Sequence, residues 1–214
     1  MIKKLIYIII LFTFFGNFAI AETQNATVEY DGYSFSFKKG DDVRFLKKAN
    51  MYFNLCEKSK NVSEKVSYLQ ESMRYYFMVS VINPKSIDAQ IGLARVYDEM
   101  NLDKYAKKYF YNAYDFNPKN PKTNLYFGDF YYKRKDYINA LTYYKKAYQL
   151  GLVRDYQLNY KQAIIYEKLA DIESAKKFYT NCLGLNPQNS DLENKIRLLE
   201  DLNYSQTQYY LFRK

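Results

Sequence analysis

The feature that most constrains the fold of this chain is a periodic pattern of small and aromatic residues. Ala106, Ala140 and Ala175 are 34 and 35 residues apart. Each is followed four positions later by an aromatic residue and three positions after that by a small one. Residues at i, i+4 and i+7 share one face of an α-helix, so the pattern predicts the same helical face in each unit.

A second set of small residues predicts a second helix in each unit. Ala94, Gly128 and Ala163 each precede a tyrosine by three positions. All four prolines fall between the helical segments, where proline can begin or end a helix without breaking it. Glycine and proline together contribute only 11 of 214 residues, which argues against a β-fold with many tight turns. The repeating unit is therefore a helix–turn–helix.

These positions resemble the tetratricopeptide repeat, a unit of about 34 residues in which small side chains let two antiparallel helices approach closely. The resemblance implies an all-α solenoid of antiparallel helix pairs. Three repeats match well, at 87–120, 121–154 and 155–189. Gln162 stands where the other two repeats have Leu93 and Phe127, so we expect a weaker contact in the third repeat.

The segments before and after these repeats have less regular sequence patterns. Residues 42–86 are a divergent first helix pair with eleven extra residues near 57–64, which form either longer helices or a protruding loop. Residues 190–203 have the apolar spacing of an amphipathic helix that caps the stack. Residues 204–214 are an aromatic tail.

The N-terminal segment 22–41 carries a different pattern from the repeats. Polar and apolar residues alternate over 27–37 around Asp31-Gly32, which predicts a β-hairpin or an extended segment. A two-stranded hairpin is only marginally stable alone, so we expect it to pack on the first helix pair or to pair with a partner.

Residues 1–21 have the three parts of an export signal. Lys3 and Lys4 precede an apolar run of 11 residues, and Ala19-Ile20-Ala21 provides a small-x-small cleavage site. The run is shorter than the roughly 20 residues that span a bilayer. We therefore predict export to the periplasm or the medium with cleavage after Ala21. The alternative is an uncleaved N-terminal membrane anchor.

Histidine is absent and only two cysteines are present, which excludes histidine-based catalysis and a Cys/His zinc site. Cys56 and Cys182 lie in the first and fourth units, so we predict two unpaired, buried thiols. The best acidic cluster is Asp98, Glu99 and Asp129. It could serve glycoside hydrolysis, but nearby Arg95 favours a mixed-charge, solvated groove. The sequence thus predicts no enzyme, no metal and no cofactor.

The family resemblance implies a concave groove, lined by the first helix of each repeat, that binds a protein or peptide. The residues predicted to contact such a partner are Asn50, Phe53, Arg95, Asp98, Asp129, Tyr132, Tyr160, Ile164 and Lys168. The full chain has a formal charge of +9. The chain stays basic when the two lysines of the predicted signal are removed, which favours peripheral contact with anionic envelope components over binding to nucleic acid.

The function expected from these features is a non-enzymatic, exported scaffold or adaptor in bacterial envelope assembly. Two alternatives remain open. The groove carboxylates could bind or hydrolyse a cell-wall polymer, or the chain could be a structural subunit that self-assembles through its hairpin and aromatic tail.

Overall fold

The structure is a computed structural model that describes residues 25–30 and 33–211, with side chains over residues 36–202. The predicted signal, residues 1–21, and the Asp31-Gly32 turn lie outside this part. The chain divides into two compact units, residues 1–89 and 90–214.

The first unit contains the predicted hairpin and one long helix pair. Strand β1 (Asn25–Tyr30) pairs antiparallel with β2 (Tyr33–Lys38), with Tyr30 opposite Tyr33. Phe37 of β2 is buried, and its ring meets Phe45 of the following helix edge-on at 6.3 Å between centroids. The end of β2 therefore contacts the first helix pair through Phe37.

The helices of this pair are α1 (Asp41–Lys58) and α2 (Val62–Ile82). Only residues 59–61 separate them, and the Asn61 side chain caps α2 by accepting hydrogen bonds from the N–H groups of Ser63 and Glu64. The extra residues of the divergent repeat thus lengthen its helices and do not form a protruding loop. Ala49 and Cys56 are buried against α2, where the Ser72 hydroxyl donates to the Ala49 carbonyl at 3.0 Å.

Helix α3 (Ile87–Glu99) leads into the second unit, which continues with six further helices over the described residues. These are α4 (Asp103–Phe116), α5 (Pro121–Lys133), α6 (Tyr137–Gln149), α7 (Tyr156–Lys168), α8 (Ile172–Leu185) and α9 (Ser190–Leu211), with a 3₁₀ turn at Leu152–Arg154. The all-α fold of antiparallel helix pairs is confirmed.

The connection inside each repeat has the same geometry. Asn101, Lys135 and Ala170 follow the first helices, and their φ angles of 56°, 60° and 59° place them all in the left-handed region. These three positions are 34 and 35 residues apart, like the alanines. A left-handed residue ends an α-helix and turns the chain back, so the recurring φ sets the antiparallel pairing.

The core of the second unit is built from the recurring small and aromatic residues. Ala106, Ala140 and Ala175 are fully buried, as are the aromatic residues four positions after each. Cys182 fills a position that is alanine in the neighbouring repeats, and burial raises the pKa of its thiol to about 11. The prediction of buried cysteines is confirmed, since Cys56 is also buried.

Helix α9 is longer than the predicted cap over 190–203, since it runs to Leu211. No glycine or proline lies between residues 203 and 211 to end the helix. Leu192 and Leu199 are buried against the last repeat. Within the part of the chain that the structure describes, no helix has both the length and the apolar character needed to cross a membrane.

Candidate functional site

The first helices of the second unit are linked to one another by ion pairs. Asp129 on α5 accepts a hydrogen bond from Lys161 Nζ on α7 at 2.6 Å, and Glu167 on α7 accepts one from Lys195 Nζ on α9 at 2.7 Å. Each pair joins one repeat to the next. We call these two pairs the acid–lysine ladder, and the helix sides that carry them the first-helix face.

A tyrosine from the second helix of each repeat completes the two rungs. The Tyr144 hydroxyl donates to Asp129 Oδ1 at 2.6 Å, and the Tyr179 hydroxyl donates to Glu167 Oε2 at 2.8 Å. Burial and the adjacent carboxylate raise the pKa of both tyrosines, so they remain hydrogen-bond donors at neutral pH. The ladder therefore fixes first helices to second helices as well as repeat to repeat.

Glu167 is held as a carboxylate by these contacts. Partial burial acts to raise its pKa, but hydrogen bonds from Lys195 and Tyr179 and the charges of Lys195 and Lys168 outweigh burial and lower it. Glu167 thus provides a fixed negative charge on the first-helix face.

A cavity of about 860 Å³ opens on this face between α7 and α9. Its walls combine aromatic rings, aliphatic side chains and charges of both signs. The lining residues are Tyr156, Tyr160, Ile164, Glu167, Lys168, Tyr179, Asn189, Asp191, Leu192 and Lys195. Its volume lies within the range of ligand pockets, roughly 300–1,000 Å³.

The aromatic wall of the cavity is ordered by ring contacts. The rings of Tyr156 and Tyr160 are nearly parallel, with centroids 6.0 Å apart, and Tyr160 meets Tyr179 edge-on at 5.9 Å. The Asn189 amide donates to the Tyr156 hydroxyl at 3.3 Å. Because these rings hold one another in place, a ligand that contacts them has little side-chain motion left to freeze.

The predicted site residues of the second unit do not all lie together. Tyr160, Ile164 and Lys168 come together as lining residues of the cavity. Tyr132 lies one repeat earlier, between the rings of Tyr137 and Tyr144. Burial raises the pKa of Tyr132, and the neighbouring Tyr137 and Tyr160 add to the effect.

The remaining charged residues of the predicted site lie in structural contacts between repeats. The Arg95 guanidinium lies 4.3 Å from the ring centroid of Tyr126 on α5. Asp98 forms ion pairs with Arg134 at 2.7 Å and Lys133 at 3.5 Å, and Glu99 also pairs with Lys133. Asp129 belongs to the ladder, so the acidic cluster forms a mixed-charge network, which supports the solvated-groove interpretation over hydrolysis.

The two predicted residues of the first unit differ from each other. Phe53 is only 2% exposed, because it follows Ala49 by four positions and so faces the α1–α2 core. The structure places Phe53 in that core, which corrects its assignment to a binding surface. Asn50 is exposed, and its Oδ1 accepts a hydrogen bond from the Tyr76 hydroxyl at 2.6 Å.

Sequence reasoning missed several cavity residues, among them Tyr156, Glu167 and Lys195. The sequence did contain one signal for Lys195, since Lys161 and Lys195 are 34 residues apart, which is the period of the repeat. Nothing in the sequence indicated that both lysines would reach back to a carboxylate on the preceding first helix.

Comparison with known proteins defines the class to which this architecture belongs. A sequence profile described as tetratricopeptide repeat matches residues 156–189, the repeat that forms one wall of the cavity. This match identifies residues 156–189 as a tetratricopeptide repeat, and the helix pairs before it recur at the same spacing.

Solved structures of this class share the fold. PilF of Pseudomonas aeruginosa superposes with a TM-score of 0.59 at 20% identity, over 80% of this chain and 73% of PilF. MamA gives a TM-score of 0.57 at 14% identity, over 75% of this chain and 83% of MamA. YrrB, described as a TPR protein with an unusual peptide-binding site, gives 0.54 at 18% identity over 74% and 79%.

Among curated proteins, the chain is similar to the anaphase-promoting complex subunit CDC16 of Saccharomyces cerevisiae. The two are 25% identical over 166 aligned residues, which cover 58% of this chain. The chain spans about a fifth (20%) of the length of that relative. The similarity thus concerns one part of a much larger protein.

Proposed function

We propose that this chain is a non-enzymatic scaffold or adaptor that binds an extended segment of a partner protein on its first-helix face. The observation that carries the proposal is the cavity between α7 and α9, where Tyr160, Ile164 and Lys168 meet the acid–lysine ladder. Tetratricopeptide-repeat proteins are in general protein-interaction scaffolds, and the similar YrrB has a peptide-binding site.

The lining indicates what kind of segment the cavity suits. Tyr156, Tyr160, Ile164 and Leu192 offer contact area to an aromatic or aliphatic side chain. Lys168 and Asp191 add one charge of each sign, and the phenol groups add hydrogen-bonding capacity. We therefore propose a ligand peptide with one large apolar anchor flanked by polar residues of both charges.

The ladder gives the binding face its rigidity. The Glu167–Lys195 pair joins the two walls of the cavity, α7 and α9, and the Asp129–Lys161 pair holds α7 to α5. Partly exposed ion pairs contribute little to global stability. Their role here is to fix the spacing of the first helices before a ligand arrives, which lowers the entropic cost of binding.

The cellular setting of the proposal rests on the sequence. The export signal predicted at 1–21 supports action in the bacterial envelope as an assembly factor, and the positive charge supports peripheral contact with anionic envelope components.

The test is affinity capture from native envelope extract, with residues 22–214 immobilised. The double variant Tyr132→Ala, Tyr160→Ala removes the aromatic anchors, and Phe116→Ala is its control because Phe116 is an exposed aromatic residue on α4. Lys168→Glu changes a cavity charge, and Lys177→Glu reverses an exposed charge on α8. All forms are first compared for helicity by circular dichroism.

We expect one protein to be retained by the wild type and by both controls, and to be lost from the double variant and weakened by Lys168→Glu. Synthetic peptides from that protein should then bind with 1:1 stoichiometry in calorimetry. Equal retention by all five forms would exclude the first-helix face as the binding site.

A further inference from the structure

Two lysines and three tyrosines meet where the second helices α4 and α6 approach each other. Lys107, Tyr111 and Tyr114 belong to α4, and Tyr143 and Lys146 belong to α6. The ring of Tyr114 meets that of Tyr143 edge-on, with centroids 6.0 Å apart. All five side chains are exposed or half-buried. We call this group of five residues the α4–α6 seam.

The lysines of the seam are held by aromatic rings and not by carboxylates. Lys146 Nζ lies 5.0 Å from the ring centroid of Tyr114 and 5.5 Å from that of Tyr143, and it donates a hydrogen bond to the Tyr114 hydroxyl at 2.8 Å. Lys107 Nζ lies 6.0 Å from the ring centroid of Tyr111. Unlike the lysines of the acid–lysine ladder, neither forms an ion pair with a carboxylate among the described residues. The seam therefore carries two positive charges without a negative charge in contact.

The two helices as a whole have the same sign of charge. Together α4 and α6 contain five lysines and two aspartates, and both aspartates are on α4. One of them, Asp103, pairs with Arg134 of α5. A surface with this balance attracts anions. The ligand that the seam suits is therefore an anion.

The hydrogen-bonding groups of the seam suit phosphate better than carboxylate. Lysine binds phosphate as a point charge, whereas the two parallel N–H groups of arginine match a carboxylate, and the seam contains no arginine. The Tyr143 hydroxyl has no hydrogen-bond partner among the described residues, and the Tyr114 hydroxyl, which accepts from Lys146, keeps its own proton to donate. Burial and the neighbouring phenols raise the pKa of Tyr143 to about 12, so this hydroxyl remains a donor at neutral pH. The seam thus offers two ammonium groups and two phenol donors to phosphate oxygens.

The two lysines are staggered along the helix direction. Ala106 and Ala140 occupy equivalent positions, so Lys107 is level with Leu141, and Lys146 lies further along α6. At about 1.5 Å per residue, this stagger is about 7–8 Å. Two phosphates joined by a short linker suit such a spacing better than one phosphate, and the partly exposed rings between the lysines offer contact area to the linker.

We propose that the α4–α6 seam binds a phosphodiester chain, as found in a polyol-phosphate polymer. This inference rests on the proposed peripheral contact with anionic envelope components, and it gives that contact a surface and a ligand chemistry. The cavity between α7 and α9 is lined by other residues. One molecule can therefore hold a partner protein and an anionic polymer at the same time.

The test is binding of a fluorescein-labelled oligomer of propanediol phosphodiesters to residues 22–214, measured by fluorescence anisotropy at low salt. The seam variant, Lys107→Gln with Lys146→Gln, removes both charges of the seam. The control variant, Lys60→Gln with Lys65→Gln, removes two exposed lysines of the first unit and so changes the net charge equally. Circular dichroism establishes that both variants keep wild-type helicity.

We expect the seam variant to bind the oligomer at least about tenfold more weakly than the wild type, and the control variant to bind within about twofold. The slope of log affinity against log salt should become shallower by about 1.4 in the seam variant, since each lost contact with a single-stranded phosphodiester removes about 0.7. Equal affinities of the two variants would overturn the proposal.

Deletion of a single hydroxyl tests the phenol contact. Tyr143→Phe should weaken binding about threefold to tenfold, because it removes one hydrogen bond to a charged acceptor and keeps the ring. Tyr148→Phe is the control, because the Tyr148 ring lies against Phe178 of α8, outside the seam. Binding that is the same in Tyr143→Phe and Tyr148→Phe would contradict the placement of phosphate beside Tyr143.

Two other anions distinguish the source of the charge. Polyglutamate of the same charge should bind at least about tenfold more weakly than the oligomer. Vesicles of phosphatidylglycerol should retain the wild type and the seam variant equally in co-sedimentation. Polyglutamate that binds as tightly as the oligomer would refute the phosphate assignment, and retention on vesicles that depends on the seam would assign it to a lipid surface instead.

The capture experiment separates this inference from the binding of a partner protein. The double variant Tyr132→Ala, Tyr160→Ala should lose the captured protein and bind the oligomer like the wild type. The seam variant should show the reverse. Capture that persists in a wild type that does not bind the oligomer would refute this inference alone.

Discussion

The α5–α6 repeat and the α7–α8 repeat have the same fold. They differ in which buried positions are apolar or hydrogen-bonded and which hold a polar group without a partner. In the first, Phe127 is fully buried and stacks on Phe110 at 5.1 Å between centroids. In the second, the equivalent position is Gln162, which is fully buried, and neither polar atom of its side chain has a partner among the described residues.

The situation is reversed at a second pair of equivalent positions. Asn159 on α7 accepts a hydrogen bond from Asn181 of α8 at 3.1 Å. Its counterpart Asn124 on α5 has a buried Oδ1 with no partner in the part of the chain that the structure describes, because Lys146 stands in place of the donor asparagine and bonds to Tyr114 instead. Among the described residues, unpaired buried polar atoms therefore remain at Thr123 and Asn124 in the first of these repeats and at Gln162 in the second.

The approach of the two helices also differs between these repeats. The Tyr144 ring lies directly over Gly128, and its hydroxyl reaches the adjacent Asp129. In the next repeat the position of Gly128 is Ala163, and the Tyr179 hydroxyl reaches Glu167, one turn further along the first helix. The helix contact therefore accommodates the methyl group of Ala163 when the carboxylate that the tyrosine reaches, Glu167, lies one turn further along the helix.

The largest expected effect follows from this difference. Gly128→Ala would place a Cβ 2.5 Å from Cε1 of Tyr144, a fully buried ring held by its bond to Asp129. We expect a loss of about 3 kcal/mol of unfolding free energy, measured by urea denaturation.

Gly184→Ala in α8 is the control, because nothing lies within 4 Å of its added Cβ. It should stabilise the protein by about 0.5–1 kcal/mol through helix propensity. Equal effects of the two substitutions would contradict the close approach of Tyr144 to Gly128.

Replacing the buried amide should strengthen the repeat of α7 and α8. Gln162→Leu removes two buried polar atoms that lack partners among the described residues and introduces an apolar side chain, as at the equivalent positions Leu93 and Phe127. We expect a gain of about 2 kcal/mol in the same denaturation assay.

Gln157→Leu, an exposed position on the same helix, should change stability by less than about 0.5 kcal/mol. Destabilisation by Gln162→Leu would mean that the amide is satisfied in solution by a trapped water.

Exchanging the residue types at the equivalent second-helix positions 146 and 181 tests the asparagine pairing in both repeats. Lys146→Asn supplies Asn124 with an amide donor but removes the bond to Tyr114, so we expect a net gain of about 1 kcal/mol. Asn181→Lys leaves Asn159 Oδ1 without its donor, and we expect a loss of about 1 kcal/mol. Effects of the same sign in thermal unfolding would show that the two repeats do not share this pairing.

The smallest expected effect concerns the ladder. Glu167 has a lowered pKa in the folded chain, so its ionised form stabilises the fold at pH values above its ordinary pKa of 4.5. This contribution is lost as pH falls through the lowered folded-state pKa. Because the pair is partly solvent-exposed and so partly screened by water, we expect Glu167→Gln to cost only about 0.5 kcal/mol at pH 7.

The pH dependence provides the check on this assignment. The difference in unfolding free energy between wild type and Glu167→Gln should shrink steadily as the pH is lowered below about 4.5. A difference that stays constant between pH 7 and pH 3 would show that the carboxylate charge plays no part.

The sequence determined the helix-pair architecture because the fold depends on local periodicity. Small residues at 106, 140 and 175 and the aromatic residues that follow each of them recur at the repeat spacing. Nearest-neighbour packing turns that recurrence into stacked helix pairs. The same logic singled out Gln162 as an exception, and the structure finds its amide buried without a partner in the described region. The hairpin was also predictable, because strand alternation and its turn are local signals.

Only the tertiary structure decided which side chains meet across repeats. The sequence contains several lysines on α7 and α9, and their spacing does not say which of them reaches a carboxylate on another helix. Lys161 and Lys195 do, because the stacking brings their ammonium groups within 2.6 Å and 2.7 Å of Asp129 and Glu167. Phe53, assigned from sequence to the binding surface, is buried because the α1–α2 pair packs that side of α1 inward. Periodicity determines which side of a helix is apolar, but three-dimensional packing determines which residues of other helices lie against that side.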